Sequence, residues 1–390
     1  MAPYCCNGAP QTTSFLFWPQ SSLQSNALGW ITGTYPSWIS PVWAAPLTKT
    51  RGKNMKKILI ATTALVATAG VAAADVTLSG YGRFGMDHNS GATSPATQTR
   101  INSRFRLNFD ATTETDAGVT FGARVRLQQS SGSSFNGIAA SSTLGTVSAT
   151  NGASLNAAQF SATYQGFRME VGNANTAIDS VALMYNSEIG YLDRGFGDPI
   201  GGFQAYSSTP YSADLTGEDG ASGRMGVFAS YKLGAGTVRA SYINPNQNVI
   251  ASGRVLKAET SISADYNFGQ FTVAGAYADN AAFADNASSL FLGAEYAVMP
   301  NANVGLLYFQ DDSGVAGVAN QDRVTIYGNY KMDAMTFKGY IADDNKVGNL
   351  TDTAFGVGMD YDLGGARLAA DIHRNYNKDT IVGLGVRFNF

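Results

Sequence analysis

From residue 75 to the C-terminus, segment after segment alternates apolar with polar residues, and in the first three the polar face carries arginine. DVTLSGYGRFGMD (75–87) sets Val76, Leu78, Phe84 and Met86 on even positions, with Gly80 and Gly82 between them, against Thr77, Ser79, Tyr81 and Arg83. RINSRFRLNFD (100–110) sets Ile101, Phe105, Leu107 and Phe109, together with Ser103, against Arg100, Asn102, Arg104, Arg106, Asn108 and Asp110. GVTFGARVRLQQ (118–129) repeats the pattern with Arg124 and Arg126 on its polar face. A period of two is a strand with two unlike faces. The alternation returns in KAETSISADYNF, DRVTIYGNYKM and the closing VGLGVRFNF.

About sixteen such segments follow one another, and the links between them alternate in length. TETD, QGF, KLGAG, FGQ, MPN, MDA and DLGG are short, and longer links lie between them. Short turns on one side and long loops on the other mark a transmembrane β-barrel, and an even strand number returns both termini to one side. An open sheet with a greasy outer face would pair its edges with other chains, and in lipid every backbone group needs an internal partner, so the sheet must close. The expected fold is all-β, a 16-stranded antiparallel transmembrane β-barrel with short periplasmic turns and long extracellular loops. At this size side chains cannot fill the interior, which must hold water or a plug. One region fits poorly: at 288–310, Phe291, Leu307 and Phe309 fall off the pattern.

The chain before residue 75 has another composition. All four Trp, both Cys and six of the eleven Pro precede Met55, and no Asp or Glu precedes Asp75. Met55-Lys56-Lys57, an apolar run from Ile58 to Val71 and Ala72-Ala73-Ala74 have the anatomy of a secretory signal peptide cleaved before Asp75. The run is too short to span a bilayer as a helix. The expected division is 1–54, a non-native upstream extension without fixed structure or, alternatively, a real N-terminal extension; 55–74, the signal peptide; and 75–390, the barrel. Cys5 and Cys6 are adjacent, so a bond between them would be strained, and no redox or metal site is read into them.

Residues 75–390 carry 21 Lys+Arg against 29 Asp+Glu, a net charge of −8. An exported acidic chain is a poor nucleic-acid binder. Gly80-Tyr-Gly-Arg-Phe-Gly85 matches G-x-G-x-x-G, but the alternation runs through it and no helix pattern follows, so no dinucleotide site is read. His88 and His373 are the only histidines; both end upward strands and are expected as solvated residues near the outer rim. A Ser–His enzyme site therefore has little to draw on. No catalytic residue, metal ligand or cofactor is expected; Ca²⁺ at acidic loop clusters is the one metal reading left open, with no spacing to support it.

Taken together, DVTLSGYGRFGM, SRFRLNFDATTETDAGVTFGARVRL, FRMEVGNANTAIDSVALMYNSEIGY, YDLGGA and GLGVRFNF resemble the general porins of Gram-negative outer membranes, in particular the α-proteobacterial, Rhodobacter-type branch. The resemblance implies a 16-stranded homotrimer whose third long loop folds inward to narrow a water-filled channel for passive diffusion of small hydrophilic solutes and ions. It also implies partners in outer-membrane lipid, lipopolysaccharide and the outer-membrane insertion machinery, which would read the terminal aromatic Phe390. A structural or adhesive barrel with a blocked lumen is the alternative.

The third long link, about 173–221, is the longest and carries Asp179, Glu188, Asp193, Asp198, Asp214, Glu218 and Asp219. Glu188-Ile189-Gly190-Tyr191 resembles the family's Glu-aliphatic-Gly-Tyr constriction setting. Parity puts Arg83, Arg104, Arg106, Arg124 and Arg126 on the inward face of three consecutive strands, near mid-strand and so at one expected height. Facing lipid, each would cost about 2–4 kcal/mol. The expected constriction is this basic wall opposed by Asp179, Glu188, Asp193 and Asp198, which either sets a transverse field or only pins the loop.

Overall fold

The computed structural model describes residues 74–93, 98–131, 154–200, 202–206, 225–245 and 256–390. The upstream segment, nearly all of the signal sequence, and Asp214, Glu218 and Asp219 lie outside the described residues. The strands are β1 (Asp75–Asn89), β2 (Thr99–Glu114), β3 (Thr120–Ser131), β4 in two pieces (Ser154–Leu155 and Gln159–Tyr164), β5 (Phe167–Gly172), β6 (Met225–Leu233), β7 (Gly236–Asn244) and β8 (Glu259–Asn267). They continue as β9 (Phe271–Asp279), β10 (Ser288–Met299), β11 (Ala302–Asp312), β12 (Gln321–Met332), β13 (Met335–Asp344), β14 (Thr353–Asp362), β15 (Ala366–Arg374) and β16 (Thr380–Asn389).

Each strand pairs antiparallel with the next, and β16 returns to β1 over Asn389–Ile381 against Tyr81–Asn89, which closes a barrel of sixteen staves. Both pieces of β4 pair with β3. Between them Asn156 stands in for a ladder residue, its side-chain oxygen accepting from Arg126 N–H while its own N–H donates to Arg126 O at 2.8 Å. The short turns use tight geometry: Gln165 and Gly166 both have positive φ (45° and 84°), the two-residue hairpin form whose twist matches the flanking strands.

Parity holds around the wall. In β1 Val76, Leu78, Phe84 and Met86 are exposed, whereas Tyr81 and Arg83 are partly covered and Asp87 is fully buried. Exposed Tyr and Phe gather beside the short turns, among them Tyr164, Phe167, Tyr231, Phe268, Phe271 and Phe337. Such amphipathic rings suit a membrane–water boundary. Phe390 closes the ladder through reciprocal backbone bonds with Gly80 at 2.8 and 3.1 Å and stacks on Phe105, with ring centroids 5.6 Å apart.

The largest apolar cluster lies inside the barrel. Ile178, Val181, Leu183, Met184 and Ile189 of the long link after β5 pack on Ala274, Ala276, Phe291, Leu307 and Phe309 of β9–β11. This explains the off-pattern residues at 288–310: Phe291 and Leu307 are 0% exposed and Phe309 3%, because this part of the inner wall faces a folded loop instead of water. Full burial of such side chains contributes about 1.5–3 kcal/mol each, enough to hold the link in the lumen.

Candidate pore constriction

The link leaves β5 at Gly172 and is fixed by polar side chains that parity places inward. Glu170 of β5 accepts from Asn175 N–H at 3.1 Å and from Gln159 Nε2 at 2.9 Å. Ser241 Oγ accepts from Ala177 N–H at 2.9 Å, Ser261 Oγ accepts from Ile178 N–H at 3.2 Å, and Ser263 Oγ donates to Ala177 O at 2.6 Å. The Glu259 carboxylate accepts from Gln204 N–H at 3.0 Å. The small inward side chains of β7 and β8 thus supply the partners that an irregular backbone in the lumen needs.

The loop then makes a tight turn against β15, β16 and β1. Ile189 and Arg194 pair backbone to backbone at 2.9 and 3.1 Å around Gly190–Asp193. Gly190 has φ +75°, and a Cβ there would lie 1.9 Å from Asp371 Oδ1, so this position has no room for a side chain. Tyr191, 0% exposed, fills a slot left by Gly85 and Gly385, where a Cβ would approach its ring to 2.7 and 2.4 Å.

A buried polar network fastens this turn. Tyr191 Oη donates to Asp87 Oδ2 at 3.0 Å, and Asn102 Nδ2 donates to the same oxygen at 2.5 Å. Arg194 Nη2 bridges Asp87 at 3.4 Å and Asp371 at 3.3 Å. His373 Nε2 lies 2.8 Å from Asp371 Oδ2 and Nδ1 2.8 Å from Tyr340 Oη, whose oxygen also accepts from Phe196 N–H at 3.0 Å. This corrects the expectation for His373. It is 1% exposed, because the loop covers the inner wall at its level, and it anchors the loop instead of being solvated at the rim. His88 is exposed, with Nδ1 3.0 Å from Thr99 Oγ1.

The five wall arginines all lie on the inward face but not at one height. The register gives successive inward rungs Arg83–Arg104–Ser130, Tyr81–Arg106–Gln128, Ser79–Asn108–Arg126 and Thr77–Asp110–Arg124. From first to last is six residues, about 20 Å along the strands, so the set is a diagonal ladder. Arg124 is bound to Asp110 at 2.6 Å and, among the described residues, to no loop carboxylate. Arg106 and Arg126 each donate Nε to the facing strand, to Gln128 Oε1 at 2.7 Å and Asn108 Oδ1 at 3.2 Å, and Arg104 Nε donates to Ser130 Oγ at 3.0 Å. Tyr81 sits among them: the guanidinium carbons of Arg387, Arg106 and Arg83 are 4.5, 5.2 and 6.0 Å from its ring centre. Arg126 lies 4.1 Å over the Tyr206 ring of the loop.

The four loop acids separate into different environments. Asp193 reaches the basic wall, 3.9 Å from Arg83 and 2.7 Å from Arg367, and pairs with Arg387. Arg83 Nη1 also donates to Leu192 O at 2.7 Å. Glu188 has its carboxyl pushed up to about 8, first by burial and then by the charge of Asp198, against the pull of Arg387, Arg83 and Lys338. Asp198 is raised by burial to about 6, limited by the Ser187 hydroxyl at 2.6 Å and by Arg323, whose Nη1 donates to the Asp198 carbonyl at 2.7 Å and ties it to β12. Asp179 accepts from Tyr185 Oη at 2.6 Å within the loop. Sequence reasoning missed Arg367 and Arg387, though the inward parity of Arg387 in VGLGVRFNF was a usable signal. Asp87 and Asp371 share that inward parity, but their bridging by Arg194 had no signal, because only the docked loop brings the three together.

A profile of the family described as Gram-negative porin matches residues 61–380. A porin of Fuscovulum blasticum is 35% identical over 317 residues, spanning 81% of this chain and 100% of that protein. A solved variant of the Rh. blastica porin is 35% identical with a TM-score of 0.69, and a triple variant of the Rhodopseudomonas blastica porin is 34% identical with a TM-score of 0.69. Each covers 81% of this chain and 100% of its own.

Proposed function

The chain belongs to the Gram-negative porin family, and from that premise we infer how its pore discriminates among solutes. It is a multi-pass β-barrel of the outer membrane and a channel for passive diffusion. The inferred selective element is a transverse field at the docked loop. Arg83, Arg104, Arg106 and Arg126, joined by Arg367 and Arg387, form its positive side, and Asp193 its negative side, which Glu188 joins only as pH rises through about 8. The observation that carries this reading is Asp193, held at the loop tip among Arg83, Arg367 and Arg387. Opposed charges on low-dielectric walls favour dipolar solutes and sort ions by sign. Asp179 and Asp198 are assigned to holding the loop, and Arg124 to its pair with Asp110.

The assigned test is the reversal potential of the purified, folded protein in a KCl gradient. Arg104→Gln with Arg106→Gln shifts it toward cations, and Asp193→Asn shifts it toward anions. Unchanged potentials in both would refute the field, and a total lack of conductance steps would favour a barrel with a blocked lumen.

The family also supports reading the chain as a non-enzymatic homotrimer that needs no cofactor, with 55–74 removed on export and Phe390 presented to the insertion machinery. Crosslinking in native membranes, mass of the mature chain and insertion of a Phe390→Ala variant test the trimer, the cleavage and the terminal signal in turn.

A further inference from the structure

The acids and bases of the lumen are unevenly matched. Around Tyr81 stand four guanidinium groups, Arg83, Arg106 and Arg387 over the ring and Arg104, whose Nη1 lies 3.4 Å from the Tyr81 hydroxyl. Among the described residues the one carboxylate that ion-pairs in this group is Asp193, which is taken up by Arg83, Arg367 and Arg387. Among the described residues Arg104 and Arg106 form no ion pair; their Nε groups are held by the neutral Ser130 and Gln128.

The anchoring has a geometric consequence. A guanidinium tied down through Nε keeps terminal N–H groups for another acceptor, in Arg104 those beyond the one that Nη1 gives the Tyr81 hydroxyl, in a plane that matches the paired oxygens of an oxyanion. Arg104 and Arg106 are two residues apart on one strand face, so their Cβ atoms are about 7 Å apart. A tetrahedral anion that accepts from both forks fits that spacing, whereas chloride offers one centre. Two adjacent fixed cations with no carboxylate paired to them among the described residues also favour a doubly charged guest over a singly charged one.

We propose that Arg104 and Arg106, with the Tyr81 hydroxyl beside them, form a weak binding step in the lumen for phosphoryl dianions, either inorganic phosphate or a small phosphate monoester. The site rests on the channel reading above and deepens it by naming a solute class. The anion enters from water, is held between the two forks and leaves again. Passage is compatible with such a step only while binding stays weak.

The test uses the folded protein in planar bilayers at fixed KCl and fixed ionic strength, with inorganic phosphate, glycerol phosphate or acetate added at pH 8. Wild-type chloride current falls along a saturating curve with either phosphoryl anion and not with acetate. Block by inorganic phosphate alone assigns the site to the free anion, and block by both extends it to esters. Arg104→Lys with Arg106→Lys keeps both charges and removes both forks. Its half-blocking phosphate concentration rises about tenfold. Proportional current with no block in wild type, or equal block in the lysine variant, overturns the site and leaves the transverse field standing. Reversal potentials unchanged in both Arg104→Gln with Arg106→Gln and Asp193→Asn instead overturn the field itself.

Discussion

Tyr191 is the side chain on which the loop turn depends most. It is completely buried between β1 and β16, in a slot that exists because Gly85 and Gly385 lack a Cβ, and its hydroxyl meets Asp87 at 3.0 Å. Tyr191→Ala empties that slot. Truncating a buried aromatic costs about 3–5 kcal/mol when the site cannot collapse, and the strand backbones on either side cannot move inward without breaking their ladders. Tyr191→Phe removes only the hydroxyl, and Asp87 keeps Asn102 and Arg194, so its cost is about 1 kcal/mol. These are costs to local docking, because the sixteen-stave ladder is untouched. The readout is hydrogen exchange of the Ile189 and Arg194 amides, which pair only with each other's carbonyls in the turn. At about 1.4 kcal/mol per tenfold, exchange quickens by about 10² to 4 × 10³ in Tyr191→Ala and by about 5-fold in Tyr191→Phe, while strand amides such as those of β12 stay unchanged. Acceleration below tenfold in Tyr191→Ala would show that the loop is held elsewhere.

Glu188 makes the pore respond to pH. Burial and Asp198 keep its proton on up to about 8, so the folded loop binds that proton more tightly than the unfolded chain does. Its contribution to loop packing is therefore greatest at low pH and fades as pH climbs through about 8. Over the same interval one negative charge appears at the constriction, anion permeability falls in reversal-potential measurements, and Glu188→Gln removes that step. Arg124→Gln is expected to move the KCl reversal potential less than Arg106→Gln, because Arg124 is already bound to Asp110 at the far end of the ladder; an equal shift would contradict the assignment. His373→Ala strips Tyr340 and Asp371 of a buried partner and costs about 1–3 kcal/mol of docking, read as faster amide exchange at Phe196.

The wall was readable from residue order because a strand has one rule: neighbours face opposite ways. That rule alone placed Arg83, Arg104, Arg106, Arg124 and Arg126 inside, and Phe105, Leu107 and Val125 outside. Their heights were not readable, since strand register depends on pairings that parity does not encode. The misfits at Phe291, Leu307 and Phe309 were a message about the loop, because apolar residues on a water-facing wall need a cover. What covers them, and which acid meets which base, is set by contacts between residues more than a hundred positions apart. Asp193 finds Arg367 and Arg387 only once the barrel has closed, and His373 is buried by the same docking. Tyr81 was placed on the inward face, but its role as a ring shared by three guanidinium groups depends on rotamers that a sequence does not show.

Residues 75–390 contain no cysteine, which makes the barrel open to a direct test of its two faces. Single cysteines are placed one at a time from 104 to 107 and at 125 and 126, in a chain also carrying Cys5→Ser and Cys6→Ser, and exposed to a charged, water-soluble thiol reagent during bilayer recording. Labelling after Arg104→Cys, Arg106→Cys and Arg126→Cys reduces the current, and Phe105→Cys, Leu107→Cys and Val125→Cys stay silent. Equal reaction on both sets, or current loss on the second set only, would contradict a closed tube with guanidinium groups facing water and apolar side chains facing lipid.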